Sequence, residues 1–517
     1  MFKPMLPVAD LRASQRRQWL FRAGLMVLVI LALVVRFHGI AIPVIWYDEA
    51  FSVLLSDRAP GLIWSLTARD VHPPLYYVIL HYWALLFGNS VISLRGLSAV
   101  ADVGTLVLCL KLMSLVATRR ATFFAGVLLV LLPISVRYSQ EVRMYALLGF
   151  WLMGATVALV CWSRQPHSRR YAIIYVVVMA AAFYTHYFAA LAVLVHWLFW
   201  SGWGAGAPVA LPVRKWFMAN VAIVALYVPW LPHLIEQMRR MDGLEWVAPT
   251  TWDMLPGLVS RCIVMIQAAG SEWWWAMLVS AAMIACCLMA LSNARYDRRS
   301  MILLIGYFFV SAMTVFLVSW IVPVFVTRYL VFAAVGLPLV AAVALDGLAE
   351  RRPLVAFICL CLLVAAQVHG VVRVYAQDDG LNGTDVRKLA RLDTVAAGIN
   401  RQAQRGDEIV VDGLYWYLPF SYYNTTGIQP RLYLSRLPGG VPRGPYDYGG
   451  WALIPQRLDW IFFSDISTFK PTVKRVWWVT GKPKPEDVVT FPKAWELTRT
   501  ISGGGVEARL FTLHGGR

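Results

Sequence analysis

Apolar runs of about 20 residues, the length that crosses a bilayer core, recur through the first two thirds of this chain. A run of that kind must satisfy its backbone hydrogen bonds within itself, so the segments are helices. Spans are expected near 21–44, 93–117, 121–136, 146–162, 171–186, 187–203, 215–235, 272–291, 301–322, 330–349 and 353–372, eleven in all. The fold class is therefore an α-helical polytopic membrane protein with about eleven transmembrane helices.

Charge decides how these spans are threaded. The chain is 59% hydrophobic and 15% charged, with a formal net charge of +18. Its Lys and Arg fall in short clusters between apolar runs, a topology signal rather than a nucleic-acid surface. The ambiguous segment is Pro73 to Phe87, apolar but short and opened by two prolines. Placing it along the outer surface puts Arg119-Arg120, Arg164 to Arg170, Arg214-Lys215, Arg295 to Arg299 and Glu350-Arg351-Arg352 in the cytoplasm. Residues 50–87 then form an outer loop of interfacial helices. The basic start, followed by an apolar run without a small-x-small cleavage pattern, reads as an uncleaved anchor with its N-terminus inside.

Three regions follow: a basic cytoplasmic N-terminus (1–20), a transmembrane domain (21–372) with an outer catalytic loop (45–92), and an outer α/β domain (373–517). In the last, 385–404 reads as a helix stopped by Gly406, and Glu408 to Val411, Trp460 to Phe463, Val476 to Val479 and Val506 to Leu513 read as strands. All seven cysteines precede residue 373, mostly inside apolar spans where Cys behaves as a small hydrophobe. No Cys pair has metal-site spacing with His nearby. Two Asn-x-Thr triplets, at Asn382 and Asn424, carry little weight as glycan acceptors.

The outer side collects the chemistry. Asp48 and Glu49 follow the first span, in Ile45-Trp-Tyr-Asp-Glu-Ala50. On a helix they point roughly 100° apart, so one of them faces a reaction centre. The plain alternative is that both favour the helix dipole at its first turn. His72, ahead of Pro73-Pro74, can meet a phosphate through a ring N–H or sit covered by aromatics. Arg137 and Arg143, in Arg137-Tyr-Ser-Gln-Glu-Val-Arg-Met-Tyr145, and Arg328 lie at the same depth. Each alone could bind a headgroup, pair with Glu141 or snorkel; three beside an acid point to an anion site. Tyr184-Thr-His186-Tyr187 closes one span and opens the next, where an aromatic belt also accounts for it. Loop 236–271 is outer too, with Glu236, Asp242, Glu245, Trp246 and Trp252. A carboxylate is a suitable general base, and placed cations stabilise a departing phosphate without a metal.

Six segments together resemble a known family, the bacterial polyprenyl-phosphate glycosyltransferases of the GT-C fold. That family includes the lipid A aminoarabinose transferase and is related to the protein O-mannosyltransferases. The segments are Trp46-Tyr-Asp-Glu-Ala50, Val71-His-Pro-Pro-Leu-Tyr-Tyr77, Leu94-Arg-Gly-Leu-Ser98, Tyr138-Ser-Gln-Glu-Val-Arg-Met-Tyr145, Tyr184-Thr-His-Tyr187 and Thr327-Arg-Tyr-Leu330, and the similarity covers about residues 20–350. The resemblance implies an inverting transferase that uses an undecaprenyl- or dolichyl-phosphate sugar. It implies Asp48 as catalytic base with Glu49 as companion. It likens Arg143 and Arg328 to the family's interface arginines; with them, His72 and Arg137 are candidate donor-phosphate contacts, and Tyr76, Tyr145, His186, Tyr187 and Tyr329 a candidate substrate lining. Where the aminoarabinose transferases carry a phosphate-binding Lys, this chain has His72.

The expected partners are a polyprenyl-phosphate-linked sugar donor, a periplasmic lipid, glycan or protein acceptor, and the bilayer, with no nucleic acid. The expected setting is a monomer in the bacterial inner membrane, its site on the periplasmic face. No cofactor is required; Asp48-Glu49 could hold a divalent cation loosely, and no metal site is expected. The rivals are a flippase of a lipid-linked sugar, for which Arg36, Asp102 and Lys111 are partial signals, and a GT-C oligosaccharide ligase using a diphosphate lipid.

Overall fold

The computed structural model describes residues 8–206, 210–239, 247–266, 273–434, 444, 449–454, 460–466, 469, 474–482 and 489–513. Asp242, Glu245 and Trp246 lie outside the described residues. The chain divides into two compact units. The first is Met1–His38, Arg95–Pro232 and Arg240–Asp379; the second is Gly39–Leu94, His233–Arg239 and Gly380–Arg517.

The first unit is a bundle of membrane helices. Among the described residues, eight helices of the chain are long and apolar enough to span a bilayer, or nine if the bent pair Arg119–Val130 and Pro133–Ser139 counts as one. The other two of the eleven expected spans are the helices Arg169–Thr185 and Ala189–Ser201, 17 and 13 residues long. At 1.5 Å per residue they reach about 25 and 20 Å, the first at the lower end of the crossing range and the second short of it. The protein is a multi-pass membrane protein. The span Thr327–Arg351 is 94% buried, so it forms the centre of the bundle.

Local chemistry explains the breaks. Thr118 accepts from the Ala121 N–H at 3.1 Å and starts the helix Arg119–Val130. Pro133 prevents that helix from continuing and occupies the first turn of the next, giving a 53° bend. The bend strands carbonyls where no water is at hand. Arg36 reaches them, donating to Leu129 O at 3.0 Å and Val130 O at 2.5 Å, while its Nε bonds Asp102 at 2.8 Å. Both charged side chains are buried. Trp252 packs its ring on Phe316 and Trp320.

The second unit joins three short helices, Tyr47–Ser56, Pro60–Thr67 and Leu75–Phe87, to an α/β sheet. The 13-residue helix Leu75–Phe87 is about 20 Å long, too short to cross and suited to an interface. The strands are β1 (Glu408–Asp412), β2 (Arg431–Tyr433), β3 (Phe462–Phe463), β4 (Arg475–Gly481), β5 (Trp495–Ser502) and β6 (Val506–Leu513). They lie in the order β3-β2-β1-β4-β6-β5. The first four in that order pair in parallel and the last two antiparallel. Val410, Val476, Trp478 and Phe511 form its core with Phe463 and Phe469.

Three features differ from the sequence reading. β2 is only three residues long and β5 is an exposed edge, so neither carries the alternation that marks a strand. The helix expected over 385–404 is two helices, Thr384–Leu389 and Leu392–Gln402. The break is made by the chain that returns from β5: Gly505 N donates to Leu389 O and Arg391 N donates to Gly503 O, each at 2.7 Å. Gly504, at φ +74°, passes so close that a Cβ there would sit 2.2 Å from Leu389 O. The Asn424 side chain is turned inward, donating to Ile428 O at 2.9 Å and accepting from Thr426 Oγ1 at 2.7 Å.

Candidate active site

The acidic helix is placed by its neighbours within the second unit. Trp46 occupies the N-cap position in extended conformation without a side-chain cap, and Asp48 and Glu49 fill the first turn, where the dipole favours them. Glu49 is fully buried and Asp48 partly exposed, so Asp48 is the acid presented outward. Tyr423 accepts from the Ile45 N–H at 2.8 Å, and the Trp46 ring lies where a Cβ on Gly383 would have to be. Tyr47 stacks on Tyr415 with ring centroids 5.5 Å apart and planes 13° apart. Tyr415 is partly exposed; desolvation of its hydroxyl, and then the Asp48 carboxylate, push the phenol above its ordinary range. Tyr415 was not read from the sequence; it lies in the far C-terminal region, and only the fold brings it to Asp48.

His72 sits at the next turn of the same unit. Its Nδ1 faces Asp70 Oδ2 at 3.3 Å, and Pro73, Pro74 and Tyr76 are buried behind it. Phe51 meets Tyr77 edge to face at 6.0 Å, which joins the acidic helix to Leu75–Phe87. His81 donates from Nδ1 to Ser56 O at 2.7 Å and so satisfies a carbonyl at the end of the acidic helix.

The arginines gather in the first unit on a cluster of rings. Tyr145 touches Tyr138 (5.5 Å), His186 (6.1 Å) and Tyr329 (6.3 Å), and Phe188 closes on Tyr329 at 5.0 Å. Arg143 lies 5.9 Å over Tyr145, Arg328 lies 5.6 Å over Tyr329, and Arg137 lies 5.3 Å over Tyr138. All three arginines are buried. Arg137 bonds Glu141 at 3.1 Å and pairs with Asp379 at 3.2 Å, so two carboxylates balance its charge. His186 Nδ1 accepts from the Phe188 N–H at 3.2 Å, which leaves the neutral ring's proton on Nε2. Tyr187 instead accepts from Trp230 Nε1 at 3.0 Å. Ser98 donates to Arg143 O at 3.2 Å, and Arg95, on the same helix, is fully buried. Tyr138, which opens one of the six segments quoted for the resemblance, was given no role from sequence, and Phe188, next to Tyr187, was not read from it at all. Among the described residues no three His, Cys, Asp or Glu side chains lie close enough together to hold a metal ion.

No family model matches the chain, and no curated protein matches it. Solved structures do. ArnT from Cupriavidus metallidurans in the apo state aligns over 96% of this chain and 98% of its own, with TM-score 0.62 and 13% identity. The same protein bound to undecaprenyl phosphate aligns over 94% and 97%, with TM-score 0.61 and 14% identity. The chain has the GT-C fold. The Archaeoglobus fulgidus oligosaccharyltransferase, with the same GT-C fold, aligns over 79% of this chain and 64% of its own, with TM-score 0.53 and 11% identity. The GT-C fold thus extends past the spans to the C-terminal sheet, beyond the residues 20–350 that carry the sequence resemblance.

Proposed function

We propose that this protein is an inverting glycosyltransferase of the membrane, moving a sugar from a polyprenyl-phosphate donor to a hydroxyl of a lipid, glycan or protein acceptor. The observation that carries the reading is Asp48, a partly exposed carboxylate at the first turn of a membrane-boundary helix, in a chain of GT-C fold. The likeness to the ArnT bound to undecaprenyl phosphate supports the class of donor.

In this reading the acceptor oxygen bonds to the anomeric carbon from the face opposite the phosphate, and its proton passes to Asp48. The bond from the anomeric carbon to the phosphate oxygen breaks, and its electrons leave on polyprenyl phosphate. Arg143 and Arg328 stabilise that charge, with the N–H groups of His186 and His72 as further donors. Arg137, already balanced by Glu141 and Asp379, holds the cluster in place rather than meeting the phosphate. Tyr76, Tyr145, Tyr187 and Tyr329 line the substrate, and buried Glu49 secures the helix. In this reading cations and ring N–H groups carry the phosphate charge. The positive-inside bias supports the outer face for this chemistry, and the likeness to ArnT from Cupriavidus metallidurans supports a bacterial inner membrane as its setting.

The test is turnover of radiolabelled polyprenyl-phosphate sugars by protein in nanodiscs, with and without Asp48→Asn. Release of polyprenyl phosphate from one donor, lost in the variant, supports the transferase and names the sugar. Lipid moved between leaflets without turnover would overturn it in favour of a flippase. A flippase draws on ionisable residues deep in the spans, and the pairing of Arg36 with Asp102 gives both a structural use instead. Consumption of a diphosphate donor that survives Asp48→Asn would favour the oligosaccharide ligase.

A further inference from the structure

The helices Arg169–Thr185 and Val213–Tyr227 run side by side in the first unit and start at the same end, so that both N-termini flank one groove of about 740 Å³. The mouth of the groove holds His167, Arg169, Arg214 and Lys215. Below it the walls turn apolar, with Ile173, Val177, Met218 and Ala222. Ile173, Val177 and Met218 are 61%, 55% and 58% exposed, so among the described residues nothing else covers the walls. No carboxylate lines the groove, and among the described residues neither Arg169 nor Arg214 has a carboxylate partner. Lys215 donates to Pro166 O at 2.9 Å and shapes the rim. The two N-termini add their own partial positive charge at the mouth.

A basic mouth above an apolar channel between membrane helices complements one kind of molecule, an anionic head on an acyl chain. We propose that this groove binds an anionic glycerophospholipid, its phosphate at Arg169 and Arg214 and one acyl chain along Ile173, Val177, Met218 and Ala222. The site is distinct from the arginine and ring cluster. That cluster includes His186, at the far end of the 17-residue helix that Arg169 begins, about 25 Å away. The basic loops at the mouth are those that the positive-inside bias places in the cytoplasm, where anionic lipid headgroups enrich.

The experiment is native mass spectrometry of the full chain after incubation in mixed micelles of phosphatidylglycerol and phosphatidylcholine. The native protein retains phosphatidylglycerol in preference. The Arg169→Gln/Arg214→Gln variant retains it about 30-fold less, as expected for two phosphate-facing cations at a membrane surface. Ala222→Phe, which fills the channel and leaves the charges alone, lowers retention too. Equal retention of both lipids by the native protein overturns the proposal, as does unchanged retention in both variants. Displacement of phosphatidylglycerol by equimolar polyprenyl phosphate also overturns it and gives the groove to the lipid carrier. The competition between lipids is read on the native chain, so it stands whatever the variants do to folding.

Discussion

Tyr47, one residue before the outward acid, stacks on Tyr415 of the C-terminal domain. The helix that presents Asp48 is thus held from a part of the chain remote in sequence, and the same hold is repeated by Tyr423 on the Ile45 N–H. The C-terminal domain is part of the platform for the acid.

Breaking that stack should act on turnover. Tyr415→Ala is expected to lower kcat by about 10- to 100-fold, the scale of a misplaced catalytic group, with donor KM little changed. Tyr415→Phe keeps the ring and should retain most of the activity if the hydroxyl is not a required donor. Steady-state kinetics on the labelled donor, with the two variants side by side, separates stacking from hydrogen bonding.

The adjacent acids should behave differently. Asp48→Asn is expected to reduce kcat by about 10²- to 10⁴-fold, the usual contribution of a general base, while the fold and donor binding persist. Glu49→Gln changes a fully buried side chain and should lower the thermal midpoint in detergent. Melting curves and turnover measured on the same preparations show whether the two residues divide in this way.

At the ring cluster, the shape of the cation matters as well as its charge. Arg328→Lys keeps the charge but loses the planar guanidinium over Tyr329. A rise in donor KM of about tenfold is expected, near the 1.4 kcal/mol that a bidentate phosphate contact and a stacked ring account for. An unchanged donor KM in this variant and in Arg143→Lys would remove the phosphate from this cluster.

The buried pair Arg36 and Asp102 gives a prediction about folding. Asp102→Ala leaves a cation buried and unbalanced and should destabilise the bundle by about 3–5 kcal/mol. Arg36→Met with Asp102→Leu should recover much of that, less the contribution of the Leu129 and Val130 carbonyls that Arg36 satisfies. Unfolding in mixed micelles measures both. Donor turnover by a folded double variant would further weaken the flippase, which needs charges within the spans.

Helix lengths and apolarity were legible because a span is a local object: 18 or more apolar residues declare themselves without reference to any partner. The acids and arginines could be named as candidates for the same reason, since a charge at the end of an apolar span stands out against its neighbours. The two-helix break at Ala390 was not, because it is made by Gly503 to Gly505 pairing back onto the chain. The exposed strand β5 was not, because its register depends on β6 rather than on its own pattern.

Taken alone, the sequence determined a polytopic helical protein and the place of the acid pair just past its first apolar span. Tertiary structure alone decided which acid faces outward, since Glu49 is buried by packing that no local pattern encodes. It also decided that Arg137 is held by Glu141 and Asp379 while Arg143 and Arg328 lie over Tyr145 and Tyr329. The reason is physical: a side chain's identity fixes the charge it carries, but its burial and its partners come from segments far away in the chain.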